Sequence, residues 1–305
     1  MDAVTVFGTG ALGCWLAGRL SARTSARVTV AGSWPEGLAA IGRDGIELQD
    51  GASVIRGRPR VAGPHDPLPP AEAALIVVKS HQTAGLAERA ARAVTAEGRV
   101  VTLQNGLGNR EALAAAAGAR VRSGVVVAGV RLLAPGRVAV VGGSITLEAK
   151  DGDPVMARLA ALLQAAGIET RLAAEIEPEI WRKLAVNCAI NPLSALLRLP
   201  NGALLEAPGA RDTLRAAALE VAAVAAARGI DVGDVAQAVL DVAARTAGNR
   251  SSMLQDLDRG ARTEIDALCG AVVAEGRRRG VPTPVNEKLW QGVAALEAVA
   301  AGARA

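Results

Sequence analysis

The stretch Ile180-Trp181-Arg182-Lys183-Leu184-Ala185-Val186-Asn187-Cys188-Ala189-Ile190-Asn191-Pro192 carries one ammonium and two carboxamides at four-residue spacing. In a helix these three side chains, Lys183, Asn187 and Asn191, fall along one face, because residues four apart are neighbours on a helix surface. Ile180, Leu184, Val186 and Ile190 around them are apolar and suited to a core. Burying a Lys and two amides costs free energy unless something polar fills the space between them. Two readings are open at this point: a polar seam between helices, or a face that receives a polar substrate.

Composition sharpens the choice by exclusion. The chain has no tyrosine, which rules out any mechanism built on a Tyr-Lys pair, and only two histidines, His65 and His81. Four lysines (Lys79, Lys150, Lys183, Lys288) stand against thirty arginines. Where Arg is the default cation, a Lys marks a site that needs a removable proton or a compact charge. Three distant cysteines, Cys14, Cys188 and Cys269, give neither a disulfide framework nor a metal-binding spacing, so no metal is expected.

A net charge of +4 over 305 residues, with no Lys/Arg cluster interleaved with aromatics, argues against nucleic-acid binding. A mild positive balance suits an anionic cofactor or a carboxylate substrate. No apolar run reaches the roughly eighteen residues of a membrane span; the Ala-rich stretch from Leu214 to Arg228 is broken by Arg215 and Glu220. Met1-Asp2-Ala3-Val4-Thr5-Val6 leads straight into a strand pattern, and a cytoplasmic protein is the expectation. The oligomeric state stays open, with a homodimer among the options.

The elements that must position these residues begin with a short apolar strand over residues 3–8. Gly8-Thr9-Gly10-Ala11-Leu12-Gly13 follows, then a helix to about Ser21. This is GxGxxG in its required setting, after a strand and opening a helix. Gly8 permits the tight turn, Gly10 lets a pyrophosphate approach the backbone and Gly13 allows close helix–strand packing. A dinucleotide is the cofactor this predicts. The next strand, 27–31, ends in Gly32-Ser33-Trp34-Pro35 without the acidic residue that an NAD site places there. That absence leans towards NADP. No Arg replaces the acid, however, although Ser33, Arg43 or Arg58 can reach a 2′-phosphate, so NAD remains an alternative.

A β-excursion is expected over 45–49 and 53–61. Buried parallel strands follow at 73–78, ending in Lys79, and at 99–103, ending in Gln104-Asn105-Gly106-Leu107-Gly108. Ligands in open α/β sheets bind beyond the carboxyl ends of the strands, which directs Lys79 and Asn105 to the same crevice as the glycine loop. Strands at 121–130 and 138–148, a helix at 154–166 and a strand at 168–172 complete this part. Beyond Ala174 the pattern is helical throughout: 178–197, 207–228, 232–246, 263–279 and 285–301. The fold class is therefore α/β, an N-terminal Rossmann-type dinucleotide-binding domain (1–174) followed by an all-α C-terminal domain (175–305). Pro192 is expected to bend or end its helix. Asn249-Arg250-Ser251-Ser252 offers a cap to the helix after it, and Glu264 either pairs with an arginine or faces the crevice.

With these motifs in order, the chain resembles the ketopantoate reductase (2-dehydropantoate 2-reductase) family over essentially its whole length. The resemblance is most specific at Trp181-Arg182-Lys183-Leu184-Ala185-Val186-Asn187 with Asn191-Pro192-Leu193. It is also strong at Pro200-Asn201-Gly202, Ser251-Ser252-Met253-Leu254-Gln255-Asp256 and Thr263-Glu264-Ile265-Asp266. It implies an NADPH-dependent reduction of 2-dehydropantoate to (R)-pantoate on the route to pantothenate and coenzyme A. By motif, Lys183 resembles the family's proton donor. Asn187, Asn191 and Asn201 resemble its substrate-contacting amides, and Ser252 its contact to the substrate carboxylate. Asn105 resembles the residue near the nicotinamide, and Lys79 and Glu264 those lining the cofactor side. Family members often carry an Arg just after the second strand, where Gly32-Ser33-Trp34 stands in this chain. The alternatives are a reductase of another branched 2-keto acid and a dinucleotide-binding regulatory protein without turnover.

Overall fold

Strand β1 (Ala3–Phe7) is buried at every position, and its side chains alternate between two cores. Val4 and Val6 join one that contains Cys14, Trp15, Leu16 and Leu20 of α1 (Ala11–Arg23). Phe7 points into the other. The two-residue period of a strand produces this split, and it is the mark of a sheet covered on both faces.

The computed structural model describes residues 1–302; residues 303–305, at the end of the expected helical domain, lie outside the described residues. The chain forms two units, one of Met1–Gln104 with Asn109–Ile176, the other of Asn105–Gly108 with the chain from Glu177 onward. No helix among the described residues is long and apolar enough to cross a membrane.

In the first unit α1 is followed by β2 (Arg27–Ala31), α2 (Pro35–Asp44), β3 (Ile46–Asp50), β4 (Ser53–Gly57), β5 (Arg60–Ala62) and β6 (Ala71–Ile76). Then come α3 (Thr83–Arg92), β7 (Val94–Thr102), α4 (Asn109–Ala117), β8 (Val121–Ala134), β9 (Arg137–Glu148), α5 (Pro154–Ala165) and β10 (Glu169–Ala173). The strands β5-β2-β1-β6-β7-β8 lie side by side, each parallel to its neighbour. This is the doubly wound Rossmann order, and its topological switch point falls between β1 and β6. Met156, Leu159 and Leu163 of α5 join α1 on one face, while Ala87 and Ala90 of α3 and Leu113 of α4 cover the other. The sheet continues past β8 through antiparallel β9, which pairs with β3 and β10.

The excursion expected as one strand over 53–61 is two. β4 closes a hairpin on β3, and β5 crosses to pair in parallel with β2. Pro59 between them has no N–H to continue a ladder, which explains the break.

The second unit holds α6 (Glu177–Leu197), α7 (Ala210–Ala226), α8 (Val235–Arg245), α9 (Ser252–Asp258), α10 (Ala271–Arg279) and α11 (Pro284–Gly302). A π-turn at Asp266–Gly270 leads into α10. α6 is the pillar of its core: Trp181, Leu184, Ala185, Cys188, Ala189, Ile190 and Leu193 are all buried. Alanines of α7 (Ala217, Ala218, Ala225) share that core.

Pro192 does not end α6, which continues to Leu197. The missing Pro192 N–H leaves the Cys188 carbonyl, four residues back, without its helical donor. The Cys269 thiol supplies one instead, at 3.5 Å. α6 ends where Arg198 takes a left-handed φ of 57°, with Leu199 N–H donating to Ser194 O at 3.1 Å in a Schellman closure. The helix expected from residue 263 begins at Asp266 and opens as the π-turn, with Gly270 N–H donating to Ile265 O at 3.1 Å.

Candidate active site

The first unit's site is built on the glycine loop between β1 and α1. Gly8 holds φ at +132° and donates its N–H to Ala31 O at 2.8 Å, which binds the loop to the end of β2. A Cβ on Gly13 would fall on the Gly8 carbonyl, so only glycine lets α1 start this close to the strand. A Cβ on Gly10, by contrast, would meet nothing within 4 Å. The α1 N-terminus thus opens beside bare backbone, with no acidic residue in its first turn. Amide N–H groups and helix dipole together favour an anion there, and these residues fit a pyrophosphate. Thr9 is buried, and its side chain abuts Gly32 just past β2. Ala11 and Leu12 form the first turn of the helix.

Lys79 lies just past β6, on the strand across the switch point from β1, at the same end of the sheet as the glycine loop. Its segment is anchored by groups that pattern reading did not single out. Gln104 Nε2 donates to Val78 O at 2.9 Å and to Thr83 Oγ1 at 2.8 Å. Thr83 in turn donates to Asn109 Oδ1 at 2.9 Å, and Asn109 Nδ2 reaches Ser80 Oγ at 3.2 Å. Thr83 and Asn109 are buried polar residues at the starts of α3 and α4, and this mutual satisfaction is the reason they are tolerated.

In the second unit α6 carries Lys183, Asn187 and Asn191, each partly buried and one turn apart. The helix's first turn is held by Trp181, whose Nε1 donates to Glu177 at 3.2 Å and whose ring lies under the Arg228 guanidinium at 5.4 Å. Desolvation lowers the Lys183 ammonium from 10.5 to about 8, against the opposing pull of the Glu264 carboxylate. Glu264 also accepts from Asn105 Nδ2 at 3.3 Å. Asn105 therefore belongs with the helical unit: Leu107 N–H donates to Ala267 O at 2.9 Å, and Gly106, at φ +81°, lies flush against the Ala267 carbonyl. Glu297 of α11 accepts from the Thr263 N–H at 2.5 Å and fixes the turn that presents Glu264.

The other residues singled out in the sequence lie around the N-terminus of α9 and the segment after α6. Ser251, not Ser252, is the N-cap of α9, accepting from Leu254 N–H at 3.1 Å, and its hydroxyl reaches Asn191 O at 3.4 Å. Ser252 is left exposed in the first turn. Asn201 is buried; its N–H donates to Asn249 O at 2.9 Å and its Nδ2 to Thr246 Oγ1 at 2.9 Å. The helical unit thus brings Lys183, Glu264 and Asn105 together, while the Ser251 hydroxyl meets the backbone carbonyl of Asn191 and Asn201 is tied to Asn249 and Thr246. A buried ammonium near neutrality suits proton donation to a developing alkoxide, and the amides and hydroxyls suit the oxygens of a small polar acid.

Comparison with known proteins gives a consistent picture. Residues 4–152 match the family model described as "Ketopantoate reductase PanE/ApbA", and residues 175–297 match "Ketopantoate reductase PanE/ApbA C terminal". A 2-dehydropantoate 2-reductase of Halobacterium salinarum is 37% identical, over 94% of this chain and 96% of that one. The crystal structure of a PanE/ApbA family ketopantoate reductase from Ralstonia eutropha JMP134 superposes with a TM-score of 0.89 at 32% identity, covering 98% of this chain and 99% of the other. D-mandelate dehydrogenase, in its ternary structure with NADH and anilino(oxo)acetate, shares the fold at a TM-score of 0.91 and 23% identity, covering 98% and 99%.

Proposed function

This chain belongs to the ketopantoate reductase family, and from that membership we propose that it reduces 2-dehydropantoate to (R)-pantoate, a step towards pantothenate and coenzyme A. The observation that carries the reading is the face of α6 on which Lys183 stands with Asn187 and Asn191, where burial lowers the ammonium to about 8 against the pull of Glu264. Residues 1–174 serve as the dinucleotide-binding domain and residues 175–305 as the helical substrate and catalytic domain.

The cofactor is a nicotinamide dinucleotide, which when bound in reduced form supplies hydride to the ketone carbon. Gly8, Thr9, Gly10, Ala11, Leu12 and Gly13 hold its pyrophosphate, with Lys79, Asn105 and Glu264 lining the cofactor side. As the carbonyl π pair moves onto oxygen, Lys183 gives that oxygen its proton and is left neutral, to be recharged from solvent. Asn187 and Asn191 orient the keto acid and Asn201 contributes a further contact. Ser252, exposed at the start of α9, donates to the carboxylate.

NADPH is the proposed reductant, because no carboxylate follows β2 to repel a 2′-phosphate: the sequence there is Gly32-Ser33-Trp34. The same stretch supplies no Arg, so NADH is the alternative. Assay of the purified protein with ketopantoate and a panel of branched 2-keto acids, each with NADPH and NADH, tests both points. The expected result is the highest kcat/KM for ketopantoate with NADPH. A tenfold preference for another keto acid would make this a related reductase, and cofactor binding without turnover on any acid would make it a regulatory protein. The enzyme is expected to act in the cytoplasm, and sedimentation distinguishes a monomer from the homodimer.

A further inference from the structure

Trp290, Val293 and Glu297 are three and four residues apart in α11, so they share one face of that helix. Val293 is buried in the core, and the polar groups on either side of it hold the stretch that carries Glu264. Before Glu264, the Thr263 N–H donates to Glu297 Oε1 at 2.5 Å. After it, Trp290 Nε1 donates to Asp266 Oδ1 at 2.8 Å, and a Cβ on Gly270 would lie 3.1 Å from the same indole nitrogen. The last helix thus grips the stretch at both ends.

The Glu297 contact is unlike a surface ion pair. It takes a backbone donor of a residue that is only 3% exposed, and a hydrogen bond to a carboxylate is of the stronger kind. Thr263 Oγ1 accepts from the Ile265 N–H at 3.2 Å, closing a local turn with Glu264 at its centre. Glu264 therefore goes where Thr263 goes. Its carboxylate has little slack: the contact from Asn105 Nδ2, at 3.3 Å, is at the long end of hydrogen bonding, and roughly 0.3 Å more would end it.

We propose that Glu297 is a positioning residue for ketone reduction, holding the Glu264 carboxylate in place beside Lys183 and Asn105 through its bond to the Thr263 N–H. The proposal rests on the reductase reading above. Glu264 is the carboxylate that opposes the lowering of the Lys183 pKa, and its attraction weakens with distance. Acids on the neighbouring elements have other partners. On α6, Glu177 accepts from Trp181 and Glu179 pairs with Arg182. Asp266 pairs with Arg262, Asp256 of α9 with Arg259, and Glu220 of α7 receives the Val285 and Asn286 N–H groups. A Glu264 set loose from Thr263 should leave Lys183 less well charged near neutrality.

The chain has only four lysines, so a titration followed by NMR of ¹³Cε-labelled lysine reads Lys183 directly, with Lys183→Arg assigning its signal. The pH–rate profile on ketopantoate reads the same group in turnover. In Glu297→Ala both midpoints are expected to fall by about 0.5 pH unit or more, the direction expected for Glu264→Gln. Glu297→Gln keeps an acceptor oxygen for the Thr263 N–H and should retain the wild-type midpoint. Adding Glu297→Ala to Glu264→Gln should bring no further shift. Glu297→Asp, which keeps the charge but draws the acceptor back by one methylene, gives a second reading if Glu297→Ala does not fold: a fall supports the proposal. An unmoved midpoint in a folded Glu297→Ala or Glu297→Asp, a fall in Glu297→Gln equal to that in Glu297→Ala, or an added shift in the double variant overturns it. Reduction of no keto acid by the wild-type protein refutes the reductase reading and the role in reduction, while the NMR titration still decides the link from Glu297 to Lys183.

Discussion

The Cys269 thiol donates to the carbonyl oxygen of Cys188, the carbonyl that Pro192 leaves without a helical partner. A helix can carry an internal proline when a group from a neighbouring element takes over the freed acceptor, and here that element is the π-turn. Cys269→Ala leaves the carbonyl buried and unpaired and is expected to cost about 1–3 kcal/mol. In a Pro192→Ala background, where residue 192 regains its N–H, the same change should cost markedly less. Denaturant unfolding of the four proteins in the cycle measures the coupling; strict additivity would remove the thiol from the explanation.

Turnover should follow the charge on Lys183. Its folded pKa of about 8 lies below the ordinary 10.5, so the ammonium needed as acid is present below pH 8 and is lost as pH rises through it. Ketone reduction should hold level to about pH 7 and fall about tenfold per unit above pH 8. Because Glu264 raises this pKa, Glu264→Gln should move the falling limb to lower pH. Lys183→Ala should cost about 10²–10⁴ in kcat while the dinucleotide still binds. Stability carries the same signature: between pH 8 and 10.5 the unfolded chain holds a proton that the folded one has released, so stability from this group rises across that window. A pH–rate profile with its limb unmoved in Glu264→Gln would disconnect the two residues.

The two glycines at the start of α1 should fail differently. Gly13→Ala drives a Cβ into the Gly8 carbonyl and is expected to lower the thermal midpoint as well as dinucleotide affinity. Gly10→Ala meets no protein atom within 4 Å, so its midpoint should stay near that of the wild-type protein while dinucleotide Kd rises about 10-fold or more. Calorimetry of folding and binding on both variants separates the effects. Equal loss of stability in the two would contradict the packing.

Arg198 closes α6 at φ 57°, a conformation that costs a side-chain-bearing residue about 1 kcal/mol relative to glycine. Its guanidinium returns part of this through a contact with Asp258 at 3.1 Å, exposed enough to be worth little. Arg198→Gly is expected to stabilise the protein by a few tenths to about 1 kcal/mol, read from the urea midpoint at constant m-value. A destabilised variant would show the ion pair to be the larger effect.

Local chemistry was readable in the sequence. GxGxxG announces a turn between a strand and a helix because each glycine answers a constraint within six residues, and the Lys183–Asn187–Asn191 spacing sufficed to place all three on one helical face. What escaped pattern reading depends on partners far along the chain. Pro192 is accommodated by a thiol 77 residues on (269 − 192), and the Asn201 amide is oriented by a hydroxyl 45 residues away. The Gln104–Thr83–Asn109 network is also invisible to periodicity, since each residue alone looks like an ordinary polar loop or cap position. Pro59 was visible, but its role in splitting β4 from β5 required knowing that β2 had an open edge.

Residues 105–108 lie between β7 and α4 in the chain, yet they pack with helices encoded seventy and more residues later. During synthesis from the N-terminus, everything needed for the first unit has been made by residue 176, while Leu107 still awaits the apolar cluster it packs against and Gly106 the carbonyl it covers. The helical unit, for its part, cannot be completed by its own contiguous sequence. A single cut after residue 176 therefore cannot release two whole parts: one fragment keeps a loop with nothing to rest on, and the other lacks the asparagine that holds Glu264. The order of translation and the order of assembly are, at this tetrapeptide, different.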